Sequence, residues 1–167
     1  TVAGKLFCDR FPPDKIPALP TCGIFLRREF PLKNNLEFPE GIQPCEDGLF
    51  SHFALALAEK ISFCPEAVYH YRQHEQGNHH QIRKRTADIL PMIPRWLSLI
   101  EEFYEQRHLW KRKAGHLVRF IEHEPFELRL LGMPFSPPEQ EILYSIIRDF
   151  LNAHCTAAEC RRASLPL

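Results

Sequence analysis

Leu49, Phe50, Phe53, Ala54, Leu57 and Ala58 recur at spacings of three and four residues. That period belongs to a helix with a buried face, and it predicts one over about Glu46–Lys60. The rest of the chain has to supply a core for that face. Two adjacent carboxylates, Glu46 and Asp47, open the run, directly after Pro44 and Cys45 and the Pro/Gly-containing loop before them. Asp47 falls in the first turn, where free backbone amides and the helix dipole favour a negative charge.

Prolines divide the remainder into short pieces. There are 15 in 167 residues, and Pro12, Pro13, Pro17 and Pro20 leave room for only a short strand or turn near Lys5–Cys8. A helix of about two turns is expected over Arg27–Asn35, with Phe30 inward and Pro31 tolerated in its first turn. Phe38–Gly41 reads as a turn. Beyond the central helix, Ile61–Cys64 alternates like a strand and stops at Pro65. Val68–Arg72 is a second, aromatic-rich strand, and the polar stretch from Gln73 to Gln81 is a loop.

From about Ile82 the pattern turns helical. Arg83–Gln106 carries Ile89, Ile93, Trp96, Leu97, Ile100, Phe103 and Tyr104 on one side, with Pro91 and Pro94 expected to kink or split it. Leu109–Leu131 reads as a further helix with a break at Pro125. Gly132–Pro138 is a linker. Ser136 caps a last helix over Pro137–His154, which has proline in its first turn, and the tail from Cys160 is expected to fray. The expected fold class is therefore α/β: a mixed α/β unit over residues 1–75, then a helical region over 76–167, mostly helical by content.

Charge and cysteine usage narrow the function classes. Lys plus Arg and Asp plus Glu both number 21, so the basic excess of a typical nucleic-acid binder is absent. Six cysteines occur without a C-x-x-C pair, which favours reduced thiols and a cytoplasmic setting. No apolar run is long enough to span a bilayer. Thr1–Lys5 does not resemble a natural beginning, and the chain is expected to be either the C-terminal portion of a longer enzyme or a natural remnant.

Glu46 and Asp47 admit two compatible readings. One is structural, an acidic cap on the helix. The other is catalytic: a rigidly aimed, partly exposed carboxylate suits a general base that takes a proton from a hydroxyl. His74, His79 and His80 lack a standard zinc spacing and read first as solvated loop residues. His74 is the best placed, because it follows the strand directly. Arg72, two residues earlier, would face the same way, so both could address one anionic group. Arg27-Arg28, Arg83-Lys84-Arg85 and Lys111-Arg112-Lys113 read as solvated faces. With Trp96 and Trp110 they leave open a peripheral contact with a membrane surface. Phosphate-binding glycine loops and a G-x-S-x-G elbow are absent.

The segments Cys22–Gly41, Glu46-Asp47 and Lys60–Arg72 occur in an order and spacing that resemble the acceptor-side half of family 2 glycosyltransferases of the GT-A fold. The resemblance implies an inverting enzyme that moves a sugar from a nucleotide-sugar donor to a glycan or other hydroxyl acceptor. It implies Asp47 as the catalytic base and Glu46 as a residue positioning the acceptor or helix end. Arg72 would bind the donor diphosphate, and His74 would join a Mn²⁺ or Mg²⁺ ion. The family's nucleotide-binding half and its D-x-D metal motif would precede Cys22, yet only 21 residues do, without a D-x-D. The chain alone is therefore expected to be inactive, and an uncovered apolar face is expected to favour a homodimer. Two other readings stay open: a non-catalytic interaction domain that kept the scaffold, and a small His/Cys metal-binding protein.

Overall fold

The computed structural model describes residues 21–59, 61, 70, 85–162 and 165. Among these residues the chain is a helical assembly without strands. The mixed α/β unit expected at the N-terminal end is not seen there. The two expected strands, Ile61–Cys64 and Val68–Arg72, lie outside the described residues, apart from Ile61 and His70. So do the turn near Lys5–Cys8 and the loop from Gln73 to Gln81.

A single 3₁₀ turn, Thr21–Gly23, is followed by α1 (Glu29–Asn34) and α2 (Glu46–Leu57). Then come α3 (Thr86–Ile89), α4 (Met92–Gln106) and α5 (Trp110–Ile121). The chain continues without a stop into a π-helix, Glu122–Leu131, and ends in α6 (Pro137–His154) and α7 (Ala157–Arg162).

Helix α2 is more deeply set than one apolar face requires. Every residue from Gly48 to Ala56 is buried. Small residues on the remaining sides, Gly48, Ser51, Ala54 and Ala56, allow neighbours to come close. Of its polar members, Ser51 is satisfied within the helix, its hydroxyl donating to the carbonyl of Gly48 at 3.0 Å. Both α2 and α6 pack against α4 and α5. Leu49, Ile93, Trp96, Ile100, Tyr104, Leu117, Phe120, Leu143 and Leu151 are almost fully excluded from water. Each large apolar side chain buried this way stabilises the fold by about 1.5–3 kcal/mol. The core draws on Leu36 at one end of the described chain and Leu165 at the other.

Prolines act as expected in one place and differently in another. The long helical pattern splits at Leu90-Pro91 into α3 and α4, and Pro94 sits in the first turn of α4, where no intrahelical donor is needed. Pro125 does not break its helix. It lacks an N–H, and its ring excludes the usual carbonyl four residues back. The helix instead widens to π geometry around it. The tail also differs from expectation. Cys160 and Leu165 are buried, and α7, which carries Cys160, packs against α5.

Candidate functional site

The loop into α2 is held from several directions. The Arg107 guanidinium donates to the carbonyl of Asn34 at 2.7 Å, satisfying the C-terminal end of α1. Arg95 reaches the carbonyl of Glu40 at 3.5 Å, next to Gly41, whose φ of 68° suits glycine. Phe38 stacks on Phe50 with ring centroids 4.2 Å apart. Cys45 then takes a left-handed conformation, φ 87°, immediately before the helix. That backbone is costly for a residue with a Cβ, and burial of the Cys45 side chain holds it there.

Glu46 and Asp47 follow as the first two helical residues, both half-buried. Asp47 Oδ1 accepts the backbone N–H of Gly48 at 2.8 Å. One Asp47 oxygen is thus engaged with the first turn of the helix. The first intrahelical bond follows, from Leu49 N–H to the carbonyl of Cys45 at 2.9 Å.

A second charged pair meets this turn from the other end of the described chain. Glu124, on the π-helix, is 8% exposed and is paired with Arg129 at 3.0 Å. A Cβ on Gly48 would fall 3.3 Å from Glu124 Oε1 and 2.7 Å from Cys45 Sγ. Glycine at 48 therefore admits both groups against the helix backbone. The Cys45 thiol and the Glu124 carboxylate thus share the space beside Gly48. Burial pushes that thiol well above its ordinary value, the Glu124 charge adds to the push, and Arg129 opposes it. Cys45 is consequently a neutral packing group rather than a nucleophile. The guanidinium of Arg129 lies over the Trp96 ring, 5.5 Å from its centroid.

Of the residues singled out in the sequence, Glu46 and Asp47 come together at one helix end. Arg72 and His74, the expected diphosphate and metal residues, lie outside the described residues, as do His79 and His80. Among the described residues no group of three His, Cys, Asp or Glu side chains is arranged to hold a metal ion. Trp96 is buried, and Trp110 is half-buried against His154 at 4.1 Å, so Trp96 cannot contribute to a membrane-facing surface. No described helix is long and apolar enough to cross a membrane. Cys22, Cys45, Cys155 and Cys160 are free thiols.

Sequence reasoning missed Glu124 and Arg129, which lie within the expected helix Leu109–Leu131 and were not singled out. The one available signal was Pro125 inside a helical run. A separate shallow groove of about 430 Å³ lies between the π-helix and α6, lined by Phe126, Leu130, Leu131, Pro137, Gln140, Glu141 and Tyr144. It shares no residue with the Glu46–Asp47 turn.

Comparison with family models, with curated proteins and with solved structures returns no match for this chain.

Proposed function

We propose that this chain is the acceptor-side portion of an inverting, nucleotide-sugar-dependent glycosyltransferase, with Asp47 as its general base. The observation that supports this most directly is the setting of Asp47. It is half-buried in the first turn of a helix that is itself locked in the core, with Oδ1 engaged by the Gly48 amide. A carboxylate so fixed suits proton removal from a bound hydroxyl.

In the proposed reaction the Asp47 carboxylate takes the proton of an acceptor hydroxyl. The oxygen forms a bond to the anomeric carbon of the donor, while the bond from that carbon to the diphosphate oxygen breaks. The nucleoside diphosphate leaves with the electron pair, and the anomeric centre inverts. Glu46 orients the acceptor. The assignments of Arg72 to the diphosphate and of His74 to a Mn²⁺ or Mg²⁺ ion rest on the sequence resemblance alone.

The test is Asp47→Asn in the longest natural form of the protein. Transfer should fall by about 10²–10⁴-fold with folding intact. Unchanged transfer would refute the base assignment. A second reading, a non-catalytic interaction domain, is favoured by exposed Leu128, Leu131 and Ile142 beside the groove of the π-helix and α6. Wild-type protein without transferase activity, but with a saturable protein partner lost on Leu131→Asp, would support it instead.

A further inference from the structure

We infer that Glu124 and Arg129 are positioning residues for the Glu46–Asp47 turn, brought to it by the π-helical register of Glu122–Leu131. The catalytic part of this inference rests on the reading of Asp47 as a base. The geometric part does not.

Residues five apart on an α-helix point about 140° from each other. In a π-helix the hydrogen bond itself runs between residues five apart, and such residues come into line. Glu124 and Arg129 are five apart, and they meet at 3.0 Å with both side chains nearly excluded from water. An ordinary helix through Pro125 would send one of them away from α2.

The pair is then aimed at α2. Trp96 backs the guanidinium, whose buried Nε makes no hydrogen bond and whose Nη2 donates to Glu124 Oε2. Glu124 in turn lies against Gly48 and Cys45. A buried carboxylate at this point is favoured by the partial positive charge of the α2 N-terminus. Arg129 offsets the repulsion that Glu124, Glu46 and Asp47 would otherwise exert on one another. The first turn of α2 is thereby braced by Glu124 and Cys45, while Glu46 and Asp47 stay half-exposed.

Amide hydrogen exchange on the 167-residue chain is the deciding experiment, with Gly48 and Leu49 N–H as probes. In Glu124→Gln and in Arg129→Gln these two amides should exchange at least about tenfold faster than in wild type, with α6 amides unchanged. Arg129→Lys, which keeps the charge, should recover part of the protection. Exchange at Gly48 and Leu49 within twofold of wild type in both Gln variants would overturn the inference. So would faster exchange spread evenly over all helices, because that marks a general loss of stability. In the longest natural form, the same variants should lower kcat by about tenfold or more at unchanged donor KM. If wild type transfers sugar and the variants keep its kcat, positioning is refuted while the base assignment stands. If wild type transfers none, the function reading fails by itself, and the exchange result still decides whether the pair sets the turn.

Discussion

His116 and His52 stack face to face inside the core, with ring centroids 4.3 Å apart and planes within 8° of parallel. Nε2 of His116 lies 3.0 Å from the backbone carbonyl of His52. A carbonyl can only accept, so this nitrogen carries the proton and the tautomer of His116 is set. On the other side, Nε2 of His52 is 3.1 Å from the Tyr104 hydroxyl. One polar chain thus ties α2, α4 and α5 together with both imidazoles fully buried.

The two histidines should behave as one unit. His52→Ala and His116→Ala are each expected to cost about 2–4 kcal/mol, from lost packing and a lost hydrogen bond. The double variant should cost less than the sum, by about 1 kcal/mol or more. Urea denaturation of the four proteins measures this, and additive costs would mean that the stacking carries no energy of its own.

Gly48 is the tightest position of the candidate site. Alanine is the better helix former by about 1 kcal/mol, yet its Cβ would sit 2.7 Å from Cys45 Sγ. Gly48→Ala should therefore destabilise by about 1–2 kcal/mol once overpacking is set against propensity. Cys45→Ala removes the obstructing sulfur, so the double variant should be less destabilised than the two single costs predict. Thermal melts of the set test this, and a stabilising Gly48→Ala would contradict the close approach.

The start of α6 should be acid-sensitive. The backbone N–H and the hydroxyl of Ser136 both donate to Glu139 Oε2 at 2.7 Å, and these bonds hold the Glu139 carboxyl below its ordinary value. A lowered folded value means stability that is present above the unfolded value and lost as pH falls through the folded one. The contribution should fade from about pH 4.5 downward. Glu139→Gln should remove that pH dependence, and Ser136→Ala should cost about 1 kcal/mol near neutrality. Exchange rates of the first-turn amides of α6, followed against pH, give the measurement.

Thiol chemistry should separate the described cysteines by burial. Cys22 is exposed, whereas Cys45 and Cys160 are buried. Burial, helped by Cys160 and Glu159, pushes Cys155 up to about 12. Of these four, Cys22 should react first with iodoacetamide at pH 8, as read by peptide mass mapping. A raised folded value also means stability that holds below the unfolded value and is lost as pH rises toward the folded one. Cys155→Ser should therefore flatten the alkaline limb between about pH 9 and 12.

Much of the helical order was legible because its signals are local. The run from Leu49 to Ala58 marked α2, Pro91 marked the split between α3 and α4, and Ser136 with Pro137 marked the boundaries of α6 as they occur. Capping, apolar period and proline placement act within a few residues, so a sequence displays them directly. The acidic pair at the mouth of α2 was legible for the same reason. At Cys160 the expectation of fraying failed because α7 is seated on α5, which no local pattern near residue 160 records.

What the sequence determined by itself, then, is where most helices start and stop and which carboxylates open the central one. Tertiary structure alone decided that Glu124, paired with Arg129, meets the turn at Cys45–Gly48, more than 70 residues earlier in the chain. Five-residue spacing is not an α-helical signal, and a glutamate and an arginine on a helix are by default surface residues. They become interior partners only when the helix widens at Pro125, Trp96 offers its face to the guanidinium, and a residue without a Cβ lets the carboxylate reach the backbone. Those conditions lie on three separate elements, and only packing brings them to one place.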